Sequence, residues 1–494
     1  MTQTIAKPET TPAAYRQYIA GEWVDAEGGK TFDDLDPFDG SVVAKIPAGT
    51  KRDCERAIEA ASAAFPAWAE LAPAGRQKLF FRAADIIERR TADIVSILAR
   101  ETGSGKAFAM FQIQWSVALL RQSANWGYLP VGDVLRSDLP GRFVMAVRKP
   151  LGVVAGITPW NGAHNLAWRT ALLPMAFGNT MVLKPSEEAP ISAGIILAEI
   201  LHEAGFPPGV FNVVTHAPGG AAPIADAFFE SPAVRSINFT GSAATARMLA
   251  ERAGRSLKRI VLELGGYNPL IILSDADLGQ AVNTTAFGAF FHQGQICMNT
   301  RKVVIEEPIA AEFLTRLVEK TRGLKLGDPK LPDTVIGPLI NDAALKMVQH
   351  RVDDAVAKGA RVLTGGKIEG RIFPPTILTN VSPDAEAYHE ETFGPVLIVE
   401  TVANAEKAFE QASATRYGLC ASILTGDQER GLQFAERFDA GMVHVNGPTM
   451  AGEPGLPNGG VKDSGWGRSG HYAVEDFTEV RLTTLTRGAM TFPF

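Results

Sequence analysis

Between residues 51 and 127 apolar residues recur at helical spacing. The clearest stretch is RQKLFFRAADIIERRTADIVSILARETG, whose apolar face runs on to Gly103, a helix stop. After residue 150 the period changes. VVAGITPW (153–160) is a short apolar run closed by a turn, and TMVLKPSEEAP (180–190) repeats that pattern. ISAGIILAEILHEAG (191–205) reads as a helix, with Pro190 at its start and Gly205 at its end. VFNVVT (210–215), SINFTGS (236–242) and RIVLELGG (259–266) are further strands, alternating with the helical stretches APIADAFFES and AATARMLAERAG. A second alternating region, from about 268 to 445, contains NPLIILSD, RKVVIEE, ARVLTGG, PVLIVET, CASILTG and GMVHVN. GRFVMAVRKP (141–150) and VRLTTLTRG (480–488) alternate like strands and pair with each other or with another subunit.

Strands alternating with helices require right-handed crossovers and a mostly parallel sheet. The fold class is therefore α/β, with two such regions. In sheets of this kind ligands bind beyond the carboxyl ends of the strands. The turns TPWN, KPSE and FTGS all sit at such ends, so the first region is the candidate nucleotide site.

Composition narrows the classes. A chain of 494 residues with 46% apolar and 21% charged residues has enough material for two to four domains. The net charge of −6 gives no reason to expect nucleic acid or a membrane surface as partner. No apolar run reaches the roughly 18 residues of a membrane span, and the N-terminal MTQTIAKPETTPAAY has no signal-like apolar core. Three cysteines, Cys54, Cys297 and Cys420, argue against a disulfide framework and for a reducing compartment. The eight histidines show no metal-ligand spacing. The expectation is a cytoplasmic, metal-free protein.

Two residues stand out chemically. Cys297, in FHQGQICMNTR, sits in a loop ahead of a strand; it is either a buried structural thiol or a nucleophile whose ionisation needs local help. Glu263, in LELGG, lies among apolar residues at a strand end. Shielding from water would raise its pKa into the range of a general base, although a salt-bridged strand-end glutamate would look the same.

VLELGG, followed 34 positions after its glutamate (263 to 297) by the cysteine of GQICM, resembles the paired active-site signature of the aldehyde dehydrogenase superfamily. TPWN (158–161), KPSE (184–187), FTGS (239–242), EETFGPV (390–396) and GGVKDSGWGR (459–468) occur in that family's order, so the likeness covers about residues 15 to 485. It implies NAD(P)-dependent oxidation of an aldehyde to a carboxylic acid. Cys297 is the implied nucleophile, Asn161 the oxyanion donor with the Cys297 N–H, and Glu263 the base that hydrolyses the thioester. For the cofactor it implies Thr158, Pro159, Trp160, Lys184, Ser186, Glu187, Gly241, Ser242, Leu264, Glu391 and Phe393. Glu187 suits a free 2′-hydroxyl, so NAD is favoured and NADP possible. The implied division is a Rossmann-like NAD-binding domain (1–127 and 151–263), a catalytic α/β domain (264–462) and a small β oligomerisation element (128–150 and 463–494). That element implies a homo-oligomer, a dimer or tetramer.

The chain also departs from the family pattern. Ala246 stands where a glycine is usual and Asn458 where a phenylalanine is usual, which puts pyrophosphate contact and the shape of the substrate tunnel in question. GAFFHQGQICMNTR and VNGPTMAGEPGLPNGG, with Ile296 and Met298 flanking the cysteine, resemble the branch that oxidises aromatic aldehydes, and Arg169 also fits that branch. The favoured substrate is an aromatic or bulky apolar aldehyde, with medium-chain aliphatic aldehydes as the alternative. His164 and Asn165 either hydrogen-bond a polar group on it or face away. Two other readings are a CoA-acylating relative, against which Glu263 counts, and a non-catalytic protein on the same fold.

Overall fold

The computed structural model describes residues 13–494. Most of the polar N-terminal segment read above, residues 1–12, lies outside the described residues.

The first alternating region forms the parallel centre of an eight-stranded sheet. Its spatial order is Gly465–Trp466, Arg259–Glu263, Val234–Thr240, Val153–Ile157, Thr180–Lys184, Phe211–Val213, Gln17–Ile19 and Glu22–Val24. The five central strands are mutually parallel, and the outer strands on both sides pair antiparallel. Chain order therefore reverses between Val153–Ile157 and Val234–Thr240, the doubly wound arrangement whose crevice takes a dinucleotide. The strands are apolar throughout because helices cover both faces. The buried Trp168 and Phe211 fill one layer, and Cys54, Phe228 and Phe239 the other.

The second region builds a seven-stranded sheet in the order Arg361–Thr364, Thr376–Thr379, Val396–Val402, Lys302–Glu306, Pro269–Ile272, Cys420–Leu424 and Met442–Val445. It is parallel except at its first strand. Thr376–Thr379 went unread in the sequence: TILT is short and follows two prolines that suggest only a turn. The N-terminal strands went unread too, a three-stranded sheet of Ala13–Ala14, Val42–Pro47 and Thr31–Leu35 and the hairpin Gln17–Val24.

The two terminal-type strands pair with each other. Thr478–Thr486 runs antiparallel along Arg142–Pro150 over its full length, and Gly132–Leu135 completes a three-stranded sheet. The helix expected over 191–205 begins instead as a π-helical turn, Ile191–Ile195, before the α-helix Ile196–Ala204. The cause is a buried carboxylate. Glu101 accepts from the backbone N–H groups of Ile191 and Ser192 and from the Ser192 hydroxyl, a side-chain cap that widens the first turn. Gly205 ends the helix with φ +85°, as expected.

Candidate active site

A cavity of about 540 Å³ lies between the carboxyl ends of the first sheet and the amino ends of the second. Its wall joins Pro159, Trp160, Asn161, Arg169, Gly241, Ser242, Glu263, Leu264, Cys297, Glu391 and Phe393, residues far apart in the chain.

Cys297 is carried on a loop with little freedom. His292 and Gln293 adopt left-handed conformations (φ +50° and +54°), followed by Gly294 at +69°. A side chain at Gly294 would strike the Gly394 carbonyl at 2.2 Å. Gln293 donates to Gly103 O (2.9 Å) and Pro338 O (3.0 Å), which pays for part of the strained turn. Asn299 accepts from Ile296 N (2.7 Å), and Asn268 donates to Cys297 O (2.6 Å) and Asn299 O (2.9 Å).

Asn161 follows the strand Val153–Ile157 and leads into the helix Ala163–Ala176. Its amide donates to Gln295 O at 2.9 Å, two residues before Cys297. One N–H is thus spent on fixing the amide, and the other is free for a ligand oxygen. Glu263 ends its strand with only 8% of its surface exposed, 3.6 Å from the Arg169 guanidinium, which also donates to Thr240 (3.0 Å).

Burial dominates the electrostatics. It pushes the Glu263 carboxyl up to about 7, with Arg169 and Arg468 opposing. It pushes the Cys297 thiol up to about 11; Arg169 and Arg301 lower it, while Glu391 and Glu263 raise it further. The resting thiol therefore keeps its proton at neutral pH, because the loop that fixes it also removes it from water. Cys420 and Cys54 are buried and pushed up as well, so neither is a competing nucleophile.

The expected cofactor residues fall into two neighbouring groups. Gly241, Ser242, Leu264, Glu391 and Phe393 line the cavity with Pro159 and Trp160. Ser242 caps the helix Ala243–Arg255, whose first amides form an anion site. Glu391 fits against Gly265 only because that residue lacks a side chain: a Cβ there would stand 2.0 Å from its carboxylate. Burial pushes Glu391 up to about 7. Phe393 meets Trp160 edge to face at 5.6 Å.

Thr158, Lys184, Ser186 and Glu187 lie outside the cavity wall, at the adjacent strand end; the Thr158 N–H bonds Lys184 O at 3.2 Å. Lys184 is buried and shares a hydrogen bond with His216, whose ring lies 3.7 Å from the Glu187 carboxylate. A carboxylate, an ammonium and an N-terminal anion site along one crevice fit an adenosine ribose and a pyrophosphate.

The expected substrate residues separate. Ile296 and Met298, the chain neighbours of Cys297, join Phe108, Phe111, Phe291 and Met450 in an apolar cluster, and none of the six is in the cavity wall. His164 does not reach it. Its ring is fully buried and accepts from Trp168 (3.1 Å), so it faces the core. Asn165 is 8% exposed and absent from the cavity wall; its side-chain oxygen has no partner. Of the two departures, Ala246 is buried in the core under the first sheet, and Asn458 donates to Glu453 O (2.8 Å), closing its own loop. Arg301, Asn268 and Phe108 were missed as site residues. An arginine four positions after the cysteine was the only available signal, since Phe108 lies on a helix remote in sequence.

A model of the aldehyde dehydrogenase family matches residues 23–483. The chain is 41% identical over 476 residues to vanillin dehydrogenase of Pseudomonas fluorescens, covering 96% of this chain and 98% of that one. It is 36% identical to salicylaldehyde dehydrogenase of Pseudomonas putida, covering 97% and 99%. The crystal structure of salicylaldehyde dehydrogenase from Pseudomonas putida G7, complexed with salicylaldehyde, superposes with a TM-score of 0.95 at 36% identity, over 98% of this chain and all of that one (100%).

Alkylation of the resting enzyme by iodoacetamide should label Cys297 first, with a rate still climbing above pH 9 because the thiol titrates near 11. A rate that levels off below pH 8 would contradict the buried-thiol reading. Cavity, nucleophile loop and whole-length similarity agree: the chain belongs to the aldehyde dehydrogenase family.

Proposed function

We propose that the chain oxidises an aromatic aldehyde to its acid with NAD as hydride acceptor. The observation that carries this is the apolar cluster of Phe108, Phe111, Phe291, Ile296, Met298 and Met450, which includes both chain neighbours of Cys297, in a chain similar to vanillin and salicylaldehyde dehydrogenases. Aromatic and thioether side chains suit a flat apolar ring.

The Cys297 thiol loses its proton to Glu263 as sulfur attacks the aldehyde carbon. Arg169 and Arg301 favour the developing thiolate, since both lower the thiol. The carbonyl electron pair moves to oxygen, and the oxyanion is met by the free Asn161 N–H and the Cys297 N–H. When bound, the nicotinamide ring supplies the two-electron acceptor for the hydride lost from carbon. Glu263 then releases the thiol proton to solvent; water attacks the thioester as Glu263 takes its proton, the C–S bond breaks, and Glu263 returns that proton to the departing Cys297 sulfur as the acid leaves. A carboxyl near 7 is suited to both proton transfers near neutral pH. Glu187 disfavours a 2′-phosphate, so NAD is preferred to NADP.

The reading extends to organisation. The eight-stranded sheet, the seven-stranded sheet and, third, the sheet of Gly132–Leu135, Arg142–Pro150 and Thr478–Thr486 support a division into a cofactor domain, a catalytic domain and an oligomerisation element, 1–127 with 151–263, 264–462, and 128–150 with 463–494. Val134, Phe143, Val480, Leu482 and Leu485 are exposed on the third sheet, which supports a homo-oligomer, dimer or tetramer. Three free cysteines support a cytoplasmic setting; among the described residues no helix is long and apolar enough to cross a membrane.

Cys297→Ala should abolish turnover while NAD binding survives; activity above a trace would remove the nucleophile. Glu263→Gln should slow acylation and abolish deacylation, so that any reduced cofactor stops at one equivalent per site, and should erase the rise of kcat with pH through about 7. That rise has the expected sign because the active form is the carboxylate, present above its pKa.

A panel of vanillin, salicylaldehyde, benzaldehyde and hexanal should give aromatic kcat/KM values at least tenfold above the aliphatic one, about 1.4 kcal/mol in transition-state binding. Equal values would sink the aromatic assignment. Glu187→Ser should raise kcat/KM with NADP relative to NAD by about tenfold, a gain of about 1.4 kcal/mol; an unchanged ratio would show that Glu187 does not read the 2′ position.

A further inference from the structure

We infer that Arg301 is a positioning residue that orients the oxyanion-binding N–H of Cys297 and links it to the seating of the cofactor. The inference rests on the proposed roles of Cys297 and Glu391 and assigns the group that connects them.

Arg301 immediately precedes the strand Lys302–Glu306 that follows the nucleophile loop, and only 3% of its surface is exposed. Its guanidinium donates to three backbone carbonyls: Gly294 O at 2.6 Å, Gly394 O at 3.3 Å and Ile296 O at 2.9 Å. The first and third belong to the nucleophile loop. The second belongs to the loop that carries Glu391 and Phe393. The guanidinium also lies 3.7 Å from the Glu391 carboxylate and 5.6 Å from the centre of the Phe393 ring.

The bond to Ile296 O has a specific consequence. That carbonyl and the Cys297 N–H belong to one peptide unit, which is planar. Fixing the oxygen fixes the direction in which the N–H points, and a cation on the oxygen makes the N–H a stronger donor. The same guanidinium faces the carboxylate proposed to hold the nicotinamide ribose. Hydroxyl donors on Glu391 would favour its ionised form and draw Arg301 toward it. Stability alone does not explain the arrangement. Burying a cation is costly, and the Arg301 Nε has no partner at all. A planar fork reaches two loops at once, which a lysine ammonium does not.

Two experiments test this. Arg301→Lys, Glu391→Gln and the double variant should be compared by single-turnover hydride transfer, by KM for NAD and by melting temperature. Each single change should lower kcat/KM for NAD about tenfold, and the double variant should be within about threefold of the worse single, since coupled residues are not additive. Losses that multiply overturn the link while leaving the roles of Cys297 and Glu391 intact. A normal hydride-transfer rate in Arg301→Lys with only a lowered melting temperature makes the arginine merely structural. A wild-type KM for NAD in Glu391→Gln removes the ribose assignment and the link with it.

The second experiment needs no change at Arg301. ADP-ribose, which fills the ribose site without the ring, should alter Cys297 alkylation by iodoacetamide at least threefold in the unmodified enzyme. Saturating ADP-ribose should leave Glu391→Gln unaffected. The charged groups acting on the thiol are Arg169, Arg301, Glu263 and Glu391, so the profile should be taken across pH. No change in the unmodified enzyme overturns the proposal even if Arg301→Lys fails to fold.

Discussion

The active site depends on how the Cys297 loop is tethered. A loop between a helix and a strand is ordinarily the adaptable part of an α/β domain. Here its carbonyls are taken up by Asn268 and Arg301, its side chains reach Gly103 and Pro338, and Asn161 of the first sheet's crevice donates to Gln295 O. The tethers come from both large sheets. Cys297 is therefore placed by the relation between the two halves of the cleft, and a change in either would misplace it.

That tethering has an electrostatic cost. Excluding water around the loop raises Cys297 and brings Glu263 and Glu391 both to about 7. Two carboxyls that would be ionised in a more open site are brought to the edge of protonation near neutral pH, and a thiol that is mostly protonated even in water is held more firmly so. The cations Arg169 and Arg301 stand on opposite sides of this balance from the carboxylates, and small changes in ligation shift which group holds the proton.

Much of this was legible in the sequence, for physical reasons. Parallel strands buried on both faces leave apolar runs, so VVAGI, TMVLK and RIVLE marked the first sheet, and the turns behind them marked the crevice. Arg142–Pro150 and Thr478–Thr486 were marked by period-two alternation of apolar and polar residues, although the second strand is exposed on both faces over most of its length. What stayed hidden has a common cause. The grip of Arg301 on Gly394 and the stacking of Phe108 on His292 are contacts between distant segments, with no periodicity to report them. The π-helical turn was invisible likewise, because the carboxylate that shapes it lies 90 residues upstream.

The three-stranded sheet imposes a condition on how the chain is made. Its outer strands, Gly132–Leu135 and Thr478–Thr486, each leave one backbone edge unpaired, beside exposed Val134, Leu482 and Leu485. An apolar open edge recruits further strands from any copy nearby. Thr478–Thr486 pairs with Arg142–Pro150 across more than 300 positions of chain (342 between Arg142 and Thr484), so the sheet closes only after both segments have been made. Covering these edges in a specific assembly would also shield them from indiscriminate strand pairing.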